Sequence, residues 1–308
     1  NPNNTDSIFA VTEDNIFVTA NGGNSWNTVG PSGRWRDIHY KPGNTNVLYA
    51  TKQTSGSSNV YRSIDGGVSW QVSSNGVLNS NKRRPLIAVT PANTEVVYAL
   101  FSDNDWGYHG LYKSIDGGDS WNLQSDTSSA SNILGRDRDG SSTGGQSWYD
   151  MTLAVSTTDE NHIYVGGICL WESTDGGITW NIEGASGNGS NYSYMHVDHH
   201  AAEFNPINNI AYVGNDGGIY KYFNLLNSWI DISDGLEISQ FYKIGLSKNN
   251  DYTLVVGAQD NGTERLTGTT WDAIRGSDGM ECIIDEYDDD IIYSTSQYGG
   301  LRVTYNGG

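Results

Sequence analysis

The sequence predicts an all-β protein assembled from repeated four-stranded units, and three observations predict it. The first is composition: 38 Gly, 19 Tyr and 10 Trp accompany only three Met, and charged residues make up 17% of the 308 positions. Aromatic and β-branched residues fill pleated surfaces, while glycine supplies the positive-φ corners of tight turns. The second is a repeated motif. Ser63-Ile-Asp65-Gly-Gly-Val-Ser69-Trp70 returns as Ser114-Ile-Asp116-Gly-Gly-Asp-Ser120-Trp121 and as Ser173-Thr-Asp175-Gly-Gly-Ile-Thr179-Trp180, with a variant Thr19-Ala-Asn21-Gly-Gly-Asn-Ser25-Trp26. Ser228-Trp229 and Thr270-Trp271 keep its end, and Thr304-Tyr-Asn306-Gly-Gly308 opens a further copy. The third is the spacing of those tryptophans, roughly 40–60 residues, which is the length of a four-stranded propeller blade.

The text between motifs supplies the strands in order. Each interval holds an apolar strand, a turn and a second strand: Asp37-Ile-His-Tyr then Val47-Leu-Tyr-Ala, Leu86-Ile-Ala-Val then Val96-Val-Tyr-Ala, Thr152-Leu-Ala-Val then His162-Ile-Tyr-Val. Ala201-Ala-Glu-Phe with Ile210-Ala-Tyr-Val, Tyr242-Lys-Ile-Gly with Thr253-Leu-Val-Val, and Cys282-Ile-Ile-Asp with Ile291-Ile-Tyr-Ser continue the series. A third strand such as Val60-Tyr-Arg-Ser leads into the motif, and the motif Trp opens a fourth, so the motif occupies the turn between the two outer strands. Five complete units flanked by partial ones predict a seven-bladed β-propeller with incomplete terminal blades. It is expected to form a single domain over 1–308, with motif turns near 19–26, 63–70, 114–121 and 173–180 and degenerate ones near 216–229, 260–271 and 304–308. Neighbouring sequence of a longer polypeptide is expected to complete the edges, because unpaired strand edges are a liability.

The motif resembles the Asp-box, or BNR repeat, of sialidases, sortilin-type receptor domains and the twin-propeller xyloglucan hydrolases. The phrases His196-Val-Asp198-His199-His200, Gly214-Asn-Asp216-Gly-Gly-Ile-Tyr220, Gln240-Phe-Tyr242, Gln259-Asp260-Asn-Gly-Thr263 and Gly276-Ser-Asp278-Gly-Met-Glu-Cys282, in that order, are similar to the sortilin-like or "glycosyl hydrolase" propellers of large secreted and surface proteins in bacteria that use the type IX export route. The resemblance implies a secreted or cell-surface module. The motif itself marks architecture rather than chemistry. Asp65, Asp116 and Asp175 are expected to accept hydrogen bonds within their own turns, and Trp70, Trp121 and Trp180 to pack between blades.

Charge narrows the partners. Seventeen Lys+Arg stand against 36 Asp+Glu, a net charge of −19. Phosphate binding depends on clustered Lys and Arg, so nucleic acid is disfavoured, and an anionic membrane surface equally so. No stretch approaches the ~18 apolar residues of a membrane helix, and no charged-then-apolar leader opens the chain. Cys169 and Cys282 have no CxxC partner and read as buried small hydrophobes rather than as a disulfide or a thiolate zinc site.

Candidate functional residues lie on the loops opposite the motif turns. Aligning the units on the turn after each first strand (Pro42, Pro91, Thr157, Pro206, Lys248, Glu286) gives an upstream column of Arg34, Arg83, Tyr149, Asp198, Gln240 and Asp278. Arg34, Arg83, Trp106, Trp148, Tyr149, Tyr194, His196, Gln240 and Gln259 are candidate ligand contacts, since aromatic faces stack on sugar rings while amide and charged groups pair with hydroxyls. Asp198, Asp216, Asp260 and Asp278 are candidate catalytic carboxylates, because glycoside hydrolysis needs two facing acids. No GxSxG elbow and no Arg-Ile-Pro segment of the sialidase kind occurs. His196, Asp198 and His200 share a strand face and form a weak metal candidate, although i and i+2 side chains stand ~7 Å apart. No cofactor is expected. The run Glu286-Tyr-Asp-Asp-Asp290 has the ligand type for a structural calcium ion, a solvated turn being the simpler reading. The functional expectation is a binding or scaffold module for a polysaccharide or a protein, with a glycoside hydrolase as the alternative.

Overall fold

The computed structural model describes every residue except 79, 188, 190, 191, 237 and 238. It divides into two compact units, Asn1–Ile232 and Ser233–Gly308. The first unit holds five sheets in chain order. These are β1 (Ile8–Val11), β2 (Ile16–Thr19) and β3 (Asn27–Val29); β4 (Arg34–Lys41), β5 (Asn44–Gln53), β6 (Asn59–Ser63) and β7 (Gln71–Val72); β8 (Pro85–Val89), β9 (Val97–Ser102), β10 (Tyr108–Ser114) and β11 (Asn122–Ser125). The fourth comprises β12 (Thr152–Val155), β13 (Ile163–Gly166), β14 (Leu170–Ser173), β15 (Asn181–Ala185) and β16 (Ser193–Tyr194), and the fifth β17 (His199–Phe204), β18 (Ala211–Asn215), β19 (Gly218–Phe223) and β20 (Ser228–Asp231). The second unit holds β21 (Phe241–Leu246), β22 (Thr253–Ala258), β23 (Gly262–Thr267) and β24 (Thr270–Arg275), then β25 (Cys282–Ile284), β26 (Ile292–Ser296) and β27 (Gly300–Thr304). Each sheet is an antiparallel meander in sequence order, and the strands fall where the apolar runs predicted. β16 departs from the four-strand pattern. It pairs in parallel with β15, Gly184 opposite Ser193 and Ala185 opposite Tyr194.

The sheets of the first unit stack because their central strands are buried on both faces. All six residues of β9 are buried, and alternate ones enter different cores. Tyr98 and Leu100 join Leu111, Leu153 and Val165 on one side, while Val97, Ala99 and Phe101 join Tyr49, Val60 and Ile87 on the other. The same two-residue period splits β12, where Leu153 and Val155 face one core and Ala154 the next. First strands of successive sheets lie side by side, β4 with β8, β8 with β12 and β12 with β17. Polar groups reinforce the contacts: Asp37 Oδ2 accepts from the Ile87 N–H at 2.9 Å and Thr90 Oγ1 donates to the Ser156 carbonyl at 2.5 Å. In the second unit, Val255, Cys282, Ile284 and Ile292 form the core. Cys169 and Cys282 are both free and buried.

The repeated motif makes the turn between the last two strands. In the third sheet, Asp116 Oδ1 accepts from the Ser120 N–H and from Ser114 Oγ, Oδ2 accepts from Ser120 Oγ, and Ser114 Oγ accepts from the Gly118 N–H. Gly117 and Gly118 both take positive φ, +69° and +91°, which excludes ordinary side chains there. Asp65 and Asp175 repeat the pattern. Asn21 preserves it with one change, since its amide nitrogen donates to Ser25 Oγ at 2.9 Å. The motif tryptophans tie sheet to sheet: Trp121 Nε1 donates to the Ser73 carbonyl and Trp180 Nε1 to Ser125 Oγ, each partner lying at the outer edge of the preceding sheet. Trp70 packs against Gly30 and Trp35. Trp26 instead stays exposed. Among the described residues no helix is long and apolar enough to cross a membrane.

Hydrogen bonds from Ser69 and Ser63 hold the Asp65 carboxyl down to about 2, and those from Ser120 hold Asp116 down to about 2 as well. A carboxylate whose folded pKa lies below its unfolded value contributes stability above about pH 4 and loses it as pH falls through 2. Asp116→Ala should therefore cost about 1 kcal/mol at pH 7 and Ser114→Ala, which strands a buried N–H, about 1–3 kcal/mol. Asp116→Asn should cost less than Asp116→Ala, because Asn21 already closes such a turn. Melting temperatures at pH 7 and pH 2.5 check both statements: the deficit of Asp116→Ala against wild type should shrink at the lower pH.

Candidate ligand-binding site

In the first unit the insertion between β11 and β12 carries much of the predicted face. Ser147 Oγ and the Ser147 N–H donate to the Trp106 carbonyl, which pins the Trp148 loop to the β9–β10 turn. Arg84 Nη1 donates to the carbonyls of Ser147 at 2.8 Å and Tyr149 at 3.1 Å, fixing the same loop from the other side. Trp148 is 60% exposed and stands 5.6 Å from Tyr149, ring centre to ring centre. The Arg83 guanidinium lies 4.6 Å over the Trp106 ring. Trp106 itself takes φ +65°, a conformation unusual for a bulky residue, held by its N–H to the Asp103 carbonyl.

Beside these rings stands a polar cluster. Tyr149 donates its hydroxyl to Asp216 Oδ2 at 2.8 Å, and His200 Nε2 lies 2.7 Å from Asp216 Oδ1. The Tyr149 and His200 rings meet edge to face at 4.7 Å. Gln146 Nε2 donates to Asp198 Oδ1 at 2.5 Å and to Asp150 Oδ2 at 3.1 Å, so one amide bridges two acids. Asp198 has φ +65°. Asp150 is almost wholly buried, and burial, reinforced by Asp198, pushes its carboxyl up to about 8. Burial, then the charge of Asp216, raises Asp198 as well. The cluster at neutral pH is thus a protonated Asp150 beneath a hydrogen-bonded Asp198.

The metal candidate does not assemble as a trio. His200 engages Asp216, His196 Nδ1 rests 3.1 Å from the Val197 carbonyl, and Asp198 takes Gln146. Among the described residues no group of three His, Cys, Asp or Glu is placed to hold a metal ion. The acidic run at 286–290 is engaged locally, with Glu286 on Lys248, Asp289 on Ser247 and Asp290 near Arg265. His199, which the pattern placed beside the metal candidate, is fully buried between the Gly167 carbonyl and Met195 Sδ, and burial lowers its pKa to about 4. Tyr194 lies exposed on β16.

The second unit holds the remaining candidates. Asp278 Oδ1 accepts from the Asp260 N–H at 2.7 Å and its Oδ2 accepts from Gln297 Nε2. Gln259 Oε1 accepts from Tyr242, and the Gln259 N–H donates to the Gln240 carbonyl. Asp278 is therefore a turn-holding acceptor, bracing the strained Asp260 at φ +58°.

Sequence reading missed Asp150, Gln146, Arg36 and Arg84. The last two line, with Arg34, Gln53, Trp106 and Trp148, a pocket of about 400 Å³. The upstream column took one residue per unit, so it named Arg34 and Arg83 and passed over their neighbours.

The Asp150 carboxyl generates a pH signature. Its folded pKa is above the unfolded value, so the stability it contributes is full below about pH 4 and is lost as pH rises toward 8. Asp150→Asn keeps an acceptor for Gln146 and cannot ionise. It should leave the melting temperature unchanged near pH 4.5 and raise it relative to wild type at pH 8.5, a difference that thermal scans at the two pH values would read.

No family model matches the sequence, and no curated protein sequence matches it. Solved structures do. A GH74 enzyme from Niastella koreensis superposes with TM-score 0.53 at 15% identity, over 100% of this chain and 57% of that one. A GH74 xyloglucanase from Xanthomonas campestris gives TM-score 0.55 at 14% identity, over 99% of this chain and 51% of that one. PorZ, a surface component of the type-IX secretion system of Porphyromonas gingivalis, gives 0.51 at 13%, over 98% of this chain and 38% of that one. The chain thus spans between 38% and 57% of the length of these neighbours. All three are β-propeller proteins, and at such identities the likeness is one of fold: an all-β chain of successive antiparallel sheets.

Proposed function

We propose that the chain is a binding module of the β-propeller type, with seven blades closed by neighbouring sequence of a longer secreted or cell-surface protein, and that its ligand is a polysaccharide. The observation that carries this reading is the exposed Trp148 beside Tyr149, Asp216 and His200, held in place by Arg84 and Ser147 rather than by chance packing. A flat aromatic face stacks on the C–H face of a sugar, and the hydrogen bonds of Asp216 to Tyr149 and His200 hold the adjoining ring in place. Each ring is fixed before ligand arrives, which lowers the ordering cost of binding.

Binding is favoured over hydrolysis because three of the four candidate acids are engaged. Asp198 holds Gln146, Asp216 holds Tyr149 and His200, and Asp278 holds a backbone N–H and Gln297. Asp150, whose carboxyl burial pushes up to about 8, is almost wholly inaccessible. A glycosidase needs an accessible acid facing a second carboxylate across the scissile bond. The GH74 xyloglucanase is an enzyme of polysaccharide and PorZ a bacterial surface component, and both offer this kind of fold in the setting proposed.

A glycan array followed by titration of the hits tests the reading. Wild type should bind at least one oligosaccharide, and Trp148→Ala should weaken that binding by ten-fold or more with the melting temperature unchanged. Reducing-sugar release should be absent. A protein that binds no glycan, or that cleaves one with a rate abolished in Asp198→Asn, would overturn it.

A further inference from the structure

Resting on the reading above, one feature of the same face specifies the ligand further. In a chain of net charge −19, Arg34, Arg36 and Arg84 line one pocket, with Arg83 stacked on its Trp106 wall. Their carboxylate partners are few. Glu13 serves both Arg34, at 2.5 Å, and Arg36, at 3.5 Å, and is itself 65% exposed. Arg36 otherwise rests on the neutral Gln53, and Arg84 on two backbone carbonyls, with its buried Nε unpartnered. Two further acids lie near Arg84: Asp37, which also accepts from the N–H groups of Ile38 and Ile87 and meets His39, and Asp150, whose carboxyl burial pushes up. Burial lowers the pKa of Arg36 and Arg84, and each is lowered further by a neighbouring arginine. Like charges held together in a half-dry pocket are a standing cost that an anion relieves.

We infer that this pocket takes the carboxylate of an acidic sugar unit, a uronate within a polysaccharide, with the pyranose ring against Trp148 and Trp106. Guanidinium groups pair with a carboxylate through two parallel N–H···O bonds, a geometry an ammonium cannot copy. A volume of about 400 Å³ lies in the range of small-ligand sites. The two tryptophans favour a ring-bearing ligand over a bare anion or an extended peptide terminus. The net negative charge of the chain then acts as a filter: an acidic polymer is repelled everywhere except at this pocket, so binding should be local and selective.

The experiment is calorimetric titration of the folded chain with trigalacturonate and with its fully methyl-esterified form, at 50 mM and 500 mM salt. Trigalacturonate should bind at least ten-fold more tightly than the ester, and high salt should weaken it. Arg34→Gln and Arg36→Gln should each lose ten-fold or more toward the acid and lose less toward the ester, so that the preference for acid over ester falls. Arg36→Lys, which keeps the charge, should recover only part of the loss. Melting curves of each variant separate loss of the site from loss of the fold. If Trp148-dependent binding is equal for acid and ester, the binding module stands and the acidic-sugar assignment falls. If a peptide with a free C-terminal carboxylate binds through Arg34 and Arg36 while its amide and trigalacturonate do not, the saccharide assignment is likewise overturned.

Discussion

The stacking of the first unit depends on one constraint: the central strands of its middle sheets, β9 and β13 above all, are buried on both faces, so each sheet needs a neighbour on either side. In β9 the consequence is visible residue by residue, with Tyr98 and Leu100 entering one core and Val97, Ala99 and Phe101 the other. A half-buried strand would alternate apolar with polar; a strand covered twice reads as an unbroken apolar run, which Val97-Tyr-Ala-Leu-Phe is. This constraint explains why the motif turns carry tryptophans. The outer edge is where stacked sheets would otherwise splay, and Trp121 and Trp180 reach back from one sheet to hydrogen-bond the end of its predecessor.

Two-fold burial also explains how much of the molecule could be read from sequence. Strand positions and the motif turn arise from contacts between residues close in the chain, and such contacts leave periodic traces. Asp65, its serines and its glycines lie within one turn, so the motif and its geometry are the same object. Trp26 shows the limit of the motif: it ends a motif copy yet lies exposed, because the sheet that would cover a motif tryptophan is not specified by the motif itself. β16 lies outside the four-strand repeat, so no repeat position points to its parallel pairing with β15.

The candidate site was legible in residue type and illegible in pairing. Trp148, Tyr149, Asp198 and Asp216 were all nameable, since long loops with acids and aromatics stand out against a repeating background. Their arrangement was not, because Gln146 reaching Asp198 and Tyr149 reaching Asp216 join residues 52 and 67 positions apart. Asp198 had been grouped with His196 and His200 by strand alternation. Its left-handed backbone breaks that alternation, so the three side chains do not share a face as the period of two assumed. Arg36 and Arg84 escaped for a different reason. A repeat alignment finds equivalent positions, and a pocket built by non-equivalent ones leaves no column to read.

Acidic side chains serve opposite ends in the two regions. On the motif turns, exposed carboxylates accept three or four hydrogen bonds each, which favour the ionised form. At the site, Asp150 is denied solvent, and burial favours its protonated form, which lessens the negative charge beside Arg84. Charge state is thus set by access to water and to donors, not by residue type, and a strongly acidic chain can maintain a cationic pocket. The same loops that exclude water from Asp150 also fix Trp148 through Ser147 and Arg84. Loosening that loop would hydrate Asp150 and release the tryptophan together. The positive pocket and its aromatic wall therefore stand or fall as one unit, with backbone strain at Trp106 and Asp198 as its cost and the two-sided cores of β9 and β12 as the rigid support that offsets it.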